Sequence, residues 1–177
     1  MKKALQHPKA DAVKRQLFQQ NIEIHKVNDR PIVDLDESGF AHDRPRTRGY
    51  AERGKRCYGL ADWGAKGRTN VIGALLGATL LTISLFPDHM NSHIFHAWME
   101  QDLIPKLPKN AVIVMDIATF HKRQDTRELI FKAGHIIEFL PPYAPDFNPI
   151  EHKWAQTKAI RRKQQCSIEE LFAKNEI

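Results

Sequence analysis

Five consecutive apolar residues, Ala111 to Met115, run directly into Asp116. A run this short and unbroken predicts a strand buried on both faces, since a strand with one wet face would alternate apolar and polar side chains. A doubly buried strand requires helices on each side of its sheet. The flanking segments can supply them. Helical spacing predicts a helix over Asn91–Leu107, capped by Asn91 or Ser92, with Ile94, Phe95, Trp98, Leu103 and Ile104 on its apolar side. A second helix is expected over Thr126–Ala133, stopped by Gly134, and a further strand over His135–Leu140.

The N-terminal half reads differently. Ile32–Asp36 is a candidate strand ending at Ser38-Gly39, residues 41–56 a long loop rich in arginine and glycine, and Lys55–Trp63 a second strand. Val71–Leu76 and Leu80–Phe86 are expected to form a third strand and its continuation. Gly77-Ala78 divides this apolar stretch into strand-length pieces, so a buried hairpin fits it better than a membrane helix. Residues 1–29 are polar and basic and predict a lead-in helix, with Val13, Leu17 and Ile22 at helical spacing. Pro141, Pro142, Pro145 and Pro149 predict an extended, stiff connection into a long helix from Pro149 to about Lys163, and Ser167 is expected to cap a last short helix. The resulting order is three strands, helix, strand, helix, strand, helix. It predicts an α/β fold whose sheet is antiparallel among the early strands and parallel among the later ones, with helices on both faces.

Three carboxylates fall where these elements begin or end: Asp36, Asp116 and Glu151. Magnesium takes hard oxygen ligands, and a pair of such ions can serve both the attacking and the leaving oxygen of a phosphoryl transfer. Asp34 and Asp36 share a strand face, so periodicity leaves them tied. Glu151 has two readings as well. Asn148, Pro149 and Glu151 are spaced as a capping box, with Asn148 the N-cap. Further along the same stripe of that helix come Ala155, Lys158 and Arg162, while Ile150, Trp154 and Thr157 lie on a stripe that can pack on the core.

The 177-residue chain is long enough for one domain with a substantial core, and its formal net charge of +6 favours polyanionic partners. Arg48, Lys55, Arg56, Lys66 and Arg68 lie in a segment interleaved with Tyr50, Tyr58 and Trp63. Cations for phosphates beside aromatic rings for bases form a nucleic-acid pattern. Cys57 and Cys166 are far apart and outside any metal-binding spacing, which fits a reducing compartment, and the charged N-terminus lacks the apolar stretch of a signal peptide. A cytoplasmic protein without a membrane partner is expected. His89, His93 and His96 are too few for a zinc site without a nearby fourth ligand.

Four blocks, DESGF, YG with WGAKGR, VMD-x-A-x-FHK and LPPYAPDFNPIEHKW, occur in this order over nearly the whole chain. They strongly resemble the catalytic domain of bacterial insertion-sequence transposases of the IS six-thirty group, relatives of the mariner transposases. The 34 residues between Asp116 and Glu151 fit that family too. The resemblance implies a ribonuclease-H-like DDE catalytic domain over residues 30–177, behind the lead-in at 1–29. It implies a triad of Asp36, Asp116 and Glu151 holding two Mg²⁺ or Mn²⁺ ions, and it selects Asp36 over Asp34. His121, Lys122 and Asn148 are then expected behind the ligands, and Arg48, Lys55, Arg56, Lys66, Arg68, Lys158 and Arg162 on DNA. The implied reaction is cleavage of double-stranded DNA at the terminal repeats of an element, then strand transfer into a target, usually at TA, by a homodimer in a synaptic complex in the bacterial nucleoid. Two departures stand out. Ile117 occupies the position that is usually Asn in the family, and Ile cannot support a metal site by hydrogen bonding. The family's N-terminal helix-turn-helix region is expected to be absent. A catalytically impaired remnant and a stand-alone nuclease of the same fold are the alternatives.

Overall fold

The computed structural model describes residues 8–42, 53, 67–87, 90–117 and 123–174. Among these described residues, five strands form one sheet: β1 (Ile32–Ala41), β2 (Arg68–Leu76), β3 (Thr79–Phe86), β4 (Val112–Met115) and β5 (Ile136–Phe139), in the order β3-β2-β1-β4-β5. β3, β2 and β1 pair antiparallel, whereas β1, β4 and β5 pair parallel, the mixed arrangement expected from the sequence.

The α-helices among the described residues are α1 (Ala12–Val27), α2 (Ser92–Trp98), α3 (Gln124–Lys132), α4 (Ile150–Gln164) and α5 (Ile168–Lys174). They cover both faces of the sheet. On one, Val33 and Leu35 of β1, Ile72 and Ala74 of β2, and Ile113 and Met115 of β4 pack with Phe95 and Trp98 of α2 and Ile130 of α3. On the other, Phe40, Val71 and Leu75 pack with Ile150 and Trp154 of α4 and Leu171 of α5. On this same side Val112 and Val114 meet Phe18 of α1. The alternation of adjacent residues between two cores is the pleat of a strand, and it explains why β4 is apolar throughout.

Several local expectations need correction. β1 does not stop at Ser38-Gly39 but continues pairing with β2 to Ala41. Gly39 fits within the ladder because the Arg68 side chain lies where a Cβ at 39 would project. Val71–Leu76 and Leu80–Phe86 fall in two antiparallel strands joined at Gly77, the hairpin reading rather than one strand and its continuation. The proposed strand over Lys55–Trp63 lies outside the described residues.

The expected single helix over Asn91–Leu107 is α-helical only to Trp98. It widens to a π turn over Met99–Leu103 and tightens to a 3-10 turn over Ile104–Lys106. Pro105 accounts for the break, since it has no N–H to donate and its ring crowds the preceding turn. Asn91 is the cap, its Oδ1 accepting from His93 and Ile94. α3 starts two residues earlier than expected. In α1, Val13 and Leu17 are 75% and 56% exposed, and the buried residues are Arg15 and Phe18.

The proline-rich connection is not extended. Tyr143 adopts φ +58°, and Pro145–Phe147 form a 3-10 turn. Pro145 suits the start of that turn, where a missing N–H removes no bond. Ser167 does cap α5: its Oγ accepts from the Glu170 amide, and the Glu170 carboxylate accepts from the Ser167 amide. No helix among the described residues is long and apolar enough to cross a membrane.

Candidate functional site

The parallel register of β1 and β4 sets Asp34 beside Val114. Two residues further on, at the same level, come Asp36 in β1 and Asp116 just past the end of β4. Glu151 lies in the first turn of α4, on the sheet face that also carries Asp36. All three border one cleft of about 360 Å³, whose wall is completed by Ile117, the segment Leu140–Pro145 and Asn148. Asp34 is not part of it.

Asp36 is half-buried, and its carboxylate accepts a hydrogen bond from Trp154 Nε1 at 3.1 Å. Burial, followed by the charge of Glu151 and then that of Asp116, raises its pKa to about 7. Asp116 and Glu151 are exposed. Asp36 thus lies close enough to the other two carboxylates to feel their charge, although the three reach the cleft from separate parts of the chain. Among the described residues, no three His, Cys, Asp or Glu side chains form a metal-holding group. The donor set nonetheless fits a hard divalent cation, which prefers carboxylate and amide oxygens.

Asn148 adds to that fit. It is 3% exposed, and its Oδ1 has no hydrogen-bond partner. A buried amide oxygen left in this state costs about 1–3 kcal/mol, and here it belongs to a residue lining the cleft. The expected capping box does not form: α4 begins after Pro149 with no side-chain cap bond. Asn148 contributes its main-chain carbonyl instead, which accepts from the Glu151 amide at 3.1 Å. The Glu151 side chain is therefore not engaged in a cap.

The roles of two residues beside Asp36, Gly73 and Trp154, are not evident from the sequence. Gly73 is the cross-strand partner of Asp36. A Cβ added at Gly73 would come within 2.7 Å of Trp154 Cη2, so the absence of a side chain there lets the indole cross the strand and reach Asp36. The signal was an isolated glycine inside an apolar strand, which marks a close approach. Trp154 was expected in the core and is there, but its role as a donor depends on the β1–β2 register.

The other candidates are scattered. His121, Lys122, Arg48, Lys55, Arg56 and Lys66 lie outside the described residues. Arg68 lies over Gly39, on the opposite sheet face from α4. Lys158 sits 5.3 Å above the Phe40 ring, and Arg162 is exposed further along α4. Ile150, Trp154 and Thr157 are buried, as their stripe predicted. His93 contacts Arg123 at 2.9 Å and His96 contacts Thr126 at 2.8 Å, so each histidine faces a different partner.

A family model described as DDE superfamily endonuclease matches residues 31–171. Among solved structures, the chain is similar to a Mos1 transposase paired-end complex with the left transposon end: 16% identity, TM-score 0.69, covering 91% of this chain and 53% of that one. It is similar to a Mos1 strand transfer complex at 15% identity, TM-score 0.68, covering 99% and 59%. A mariner Mos1 paired-end complex with Mg gives 13% identity, TM-score 0.68 and coverage of 99% and 59%. The fold is that of a ribonuclease-H-like transposase catalytic domain. The chain spans little more than half the length of these relatives. No curated protein sequence matches it.

Proposed function

Because the chain belongs to the DDE superfamily endonucleases, we propose that it cuts and joins DNA as the catalytic domain of a bacterial insertion-sequence transposase of the IS six-thirty group. The observation that carries this reading is the single cleft bordered by Asp36, Asp116 and Glu151. Those carboxylates would hold two Mg²⁺ or Mn²⁺ ions, with Asn148 Oδ1 as a further oxygen at the same cleft. Bound divalent ions supply positive charge for the attacking and leaving oxygens of the phosphoryl transfer.

The reaction has two displacements at phosphorus. In the first, a water oxygen bonds to the phosphorus at the end of the element, and the P–O3′ bond breaks to leave a 3′ hydroxyl. In the second, that 3′ oxygen bonds to a target phosphorus and displaces the target's own 3′ oxygen, so bonds formed and broken balance without an energy cofactor. Lys158 and Arg162, on the same helix as Glu151, supply cations for the DNA backbone. Double-stranded DNA is the partner, first at terminal repeats and then at a TA target, and a homodimer holds the paired ends in the nucleoid. Residues 30–177 make up the catalytic unit.

Asp36→Asn, Asp116→Asn and Glu151→Gln are each expected to lower manganese-dependent cleavage by at least about a hundredfold. The assay is nicking of a supercoiled plasmid carrying the DNA that flanks the coding sequence. Unchanged nicking in all three variants would end this reading.

Ile117 favours a second one, an impaired remnant that at most binds DNA. It lines the cleft next to Asp116 and is 43% exposed, an apolar side chain among ligand oxygens. If the remnant reading holds, wild-type protein shows no turnover in manganese, and Ile117→Asn gains neither cleavage nor metal binding by calorimetry. If the chain is active, Ile117→Asn raises cleavage through a side-chain amide able to hydrogen-bond the site. Hydrolysis without joined products would instead indicate a nuclease.

A further inference from the structure

α1 precedes the region matched by the family model, which begins at residue 31. It nevertheless packs behind the cleft, on residues next to the segment that walls it. Its inner face presents Arg15, Phe18, Ile22 and His25, spaced three or four residues apart. Near the N-terminal end of this face, Arg15 forms a two-pronged pair with Asp146, Nη1 to Oδ1 at 3.0 Å and Nη2 to Oδ2 at 2.6 Å. The same guanidinium lies 4.1 Å above the Phe147 ring, and Phe18 stacks on that ring at 5.6 Å between centroids. Near the other end, His25 Nε2 meets Glu138 Oε1 at 2.9 Å. α1 is therefore fastened on both sides of the segment 140–145 that walls the cleft.

From Asp146 the chain reaches Glu151 through constrained backbone. Phe147 and Asn148 donate to the carbonyls of Ala144 and Pro145, and Glu151 donates to that of Asn148. Pro149 fixes a φ angle along this path, and Pro145 fixes one immediately before it. A shift at Asp146 must therefore be carried into the first turn of α4. A guanidinium suits this task better than an ammonium, because its planar fork matches both carboxylate oxygens while its face stacks on an aromatic ring.

We propose that Arg15 is a positioning residue for Glu151: by gripping Asp146 and Phe147 it fixes the turn before α4, and so sets how tightly the cleft holds a divalent ion. The inference rests on the reading of this cleft as a metal site. It also makes α1 a working extension of the catalytic unit at 30–177 rather than a lead-in.

The test measures manganese binding directly, by loss of the free Mn²⁺ signal in electron paramagnetic resonance, alongside the Mn²⁺ concentration giving half-maximal plasmid nicking. Arg15→Lys keeps the charge but loses the planar fork, Asp146→Asn is near-isosteric at the pair, and Lys26→Ala on the outer face of α1 is the control. Both pair variants are expected to keep the wild-type circular dichroism spectrum, to bind manganese about tenfold more weakly and to need correspondingly more of it for nicking. The control should match wild type. Partial recovery of affinity in the swap Arg15→Asp with Asp146→Arg would support the pairing. If wild-type protein binds manganese and the two variants bind it equally well, the inference is overturned while the function stands, even if their melting temperatures fall. If wild-type protein binds no manganese, the metal reading fails and the inference with it.

Discussion

Trp154→Ala is expected to remove about 3–5 kcal/mol of folding stability, among the largest effects of any single truncation in this chain. The indole is 1% exposed, packs edge-on against Phe40, and belongs to the cluster that joins α4 and α5 to the sheet. Truncation would leave a cavity above Gly73, where β2 offers no side chain to fill it. It would also remove the donor to Asp36. Trp154→Phe separates the two effects. It keeps most of the apolar volume but has no N–H, so about 1–2 kcal/mol should be lost. Its Asp36 should titrate still higher, since a hydrogen bond to a carboxylate favours the charged form. Urea unfolding gives the first quantity, and carboxyl NMR titration of Asp36 gives the second. A loss below 1 kcal/mol in Trp154→Ala would show that the cluster does not depend on the ring.

The second large effect concerns pH. Asp34 is 8% exposed, and burial alone raises its pKa to about 7, the same value that burial and neighbouring carboxylates give Asp36. Between the ordinary carboxylate range and pH 7, the folded chain keeps protons that the unfolded chain has released. The unfolded state then binds fewer protons, so stability falls as pH rises through this window. Asp34→Asn removes one of the two groups responsible. It should leave stability at pH 4 nearly unchanged and raise it at pH 8 by on the order of 2–4 kcal/mol, less the cost of placing the new amide. Thermal melts from pH 4 to 8 in the presence of a chelator provide the measurement. A pH-independent difference between wild type and variant would mean that Asp34 is not the group titrating. Under the proposed function, metal binding needs Asp36 ionised, so affinity for manganese should grow over the same range and binding should release protons.

Much of this was legible in local pattern. The continuous run before Asp116 predicted a doubly buried strand, and β4 is one. The stripe Ile150, Trp154 and Thr157 predicted the buried side of α4. What the sequence could not convey were facts of register and distant partners. Asp34 and Asp36 share a strand face, and only the end of β4 and the position of the cleft distinguish them. Gly73 looks like any strand glycine until cross-strand pairing puts it opposite Asp36. α1 misled for a related reason. Helical spacing grouped Val13, Leu17 and Ile22, yet only Ile22 of these faces inward, and a charged residue, Arg15, turns inward to a partner 131 positions away. The proline-rich connection misled because proline excludes some conformations without choosing among the rest, and the chain chose a turn.

The strand order has one more consequence. β1 and β4 are flanked by strands on both sides, while among the described residues β3 and β5 form the edges of the sheet. Asp36 therefore lies in, and Asp116 immediately after, a stretch of backbone that is among the last to open in local unfolding, when edges and helix ends have already frayed. Glu151 belongs to a different stability class, on the first turn of a helix reached through a surface turn. The candidate centre thus joins two carboxylates carried by central strands to a third whose place depends on how α4 is docked.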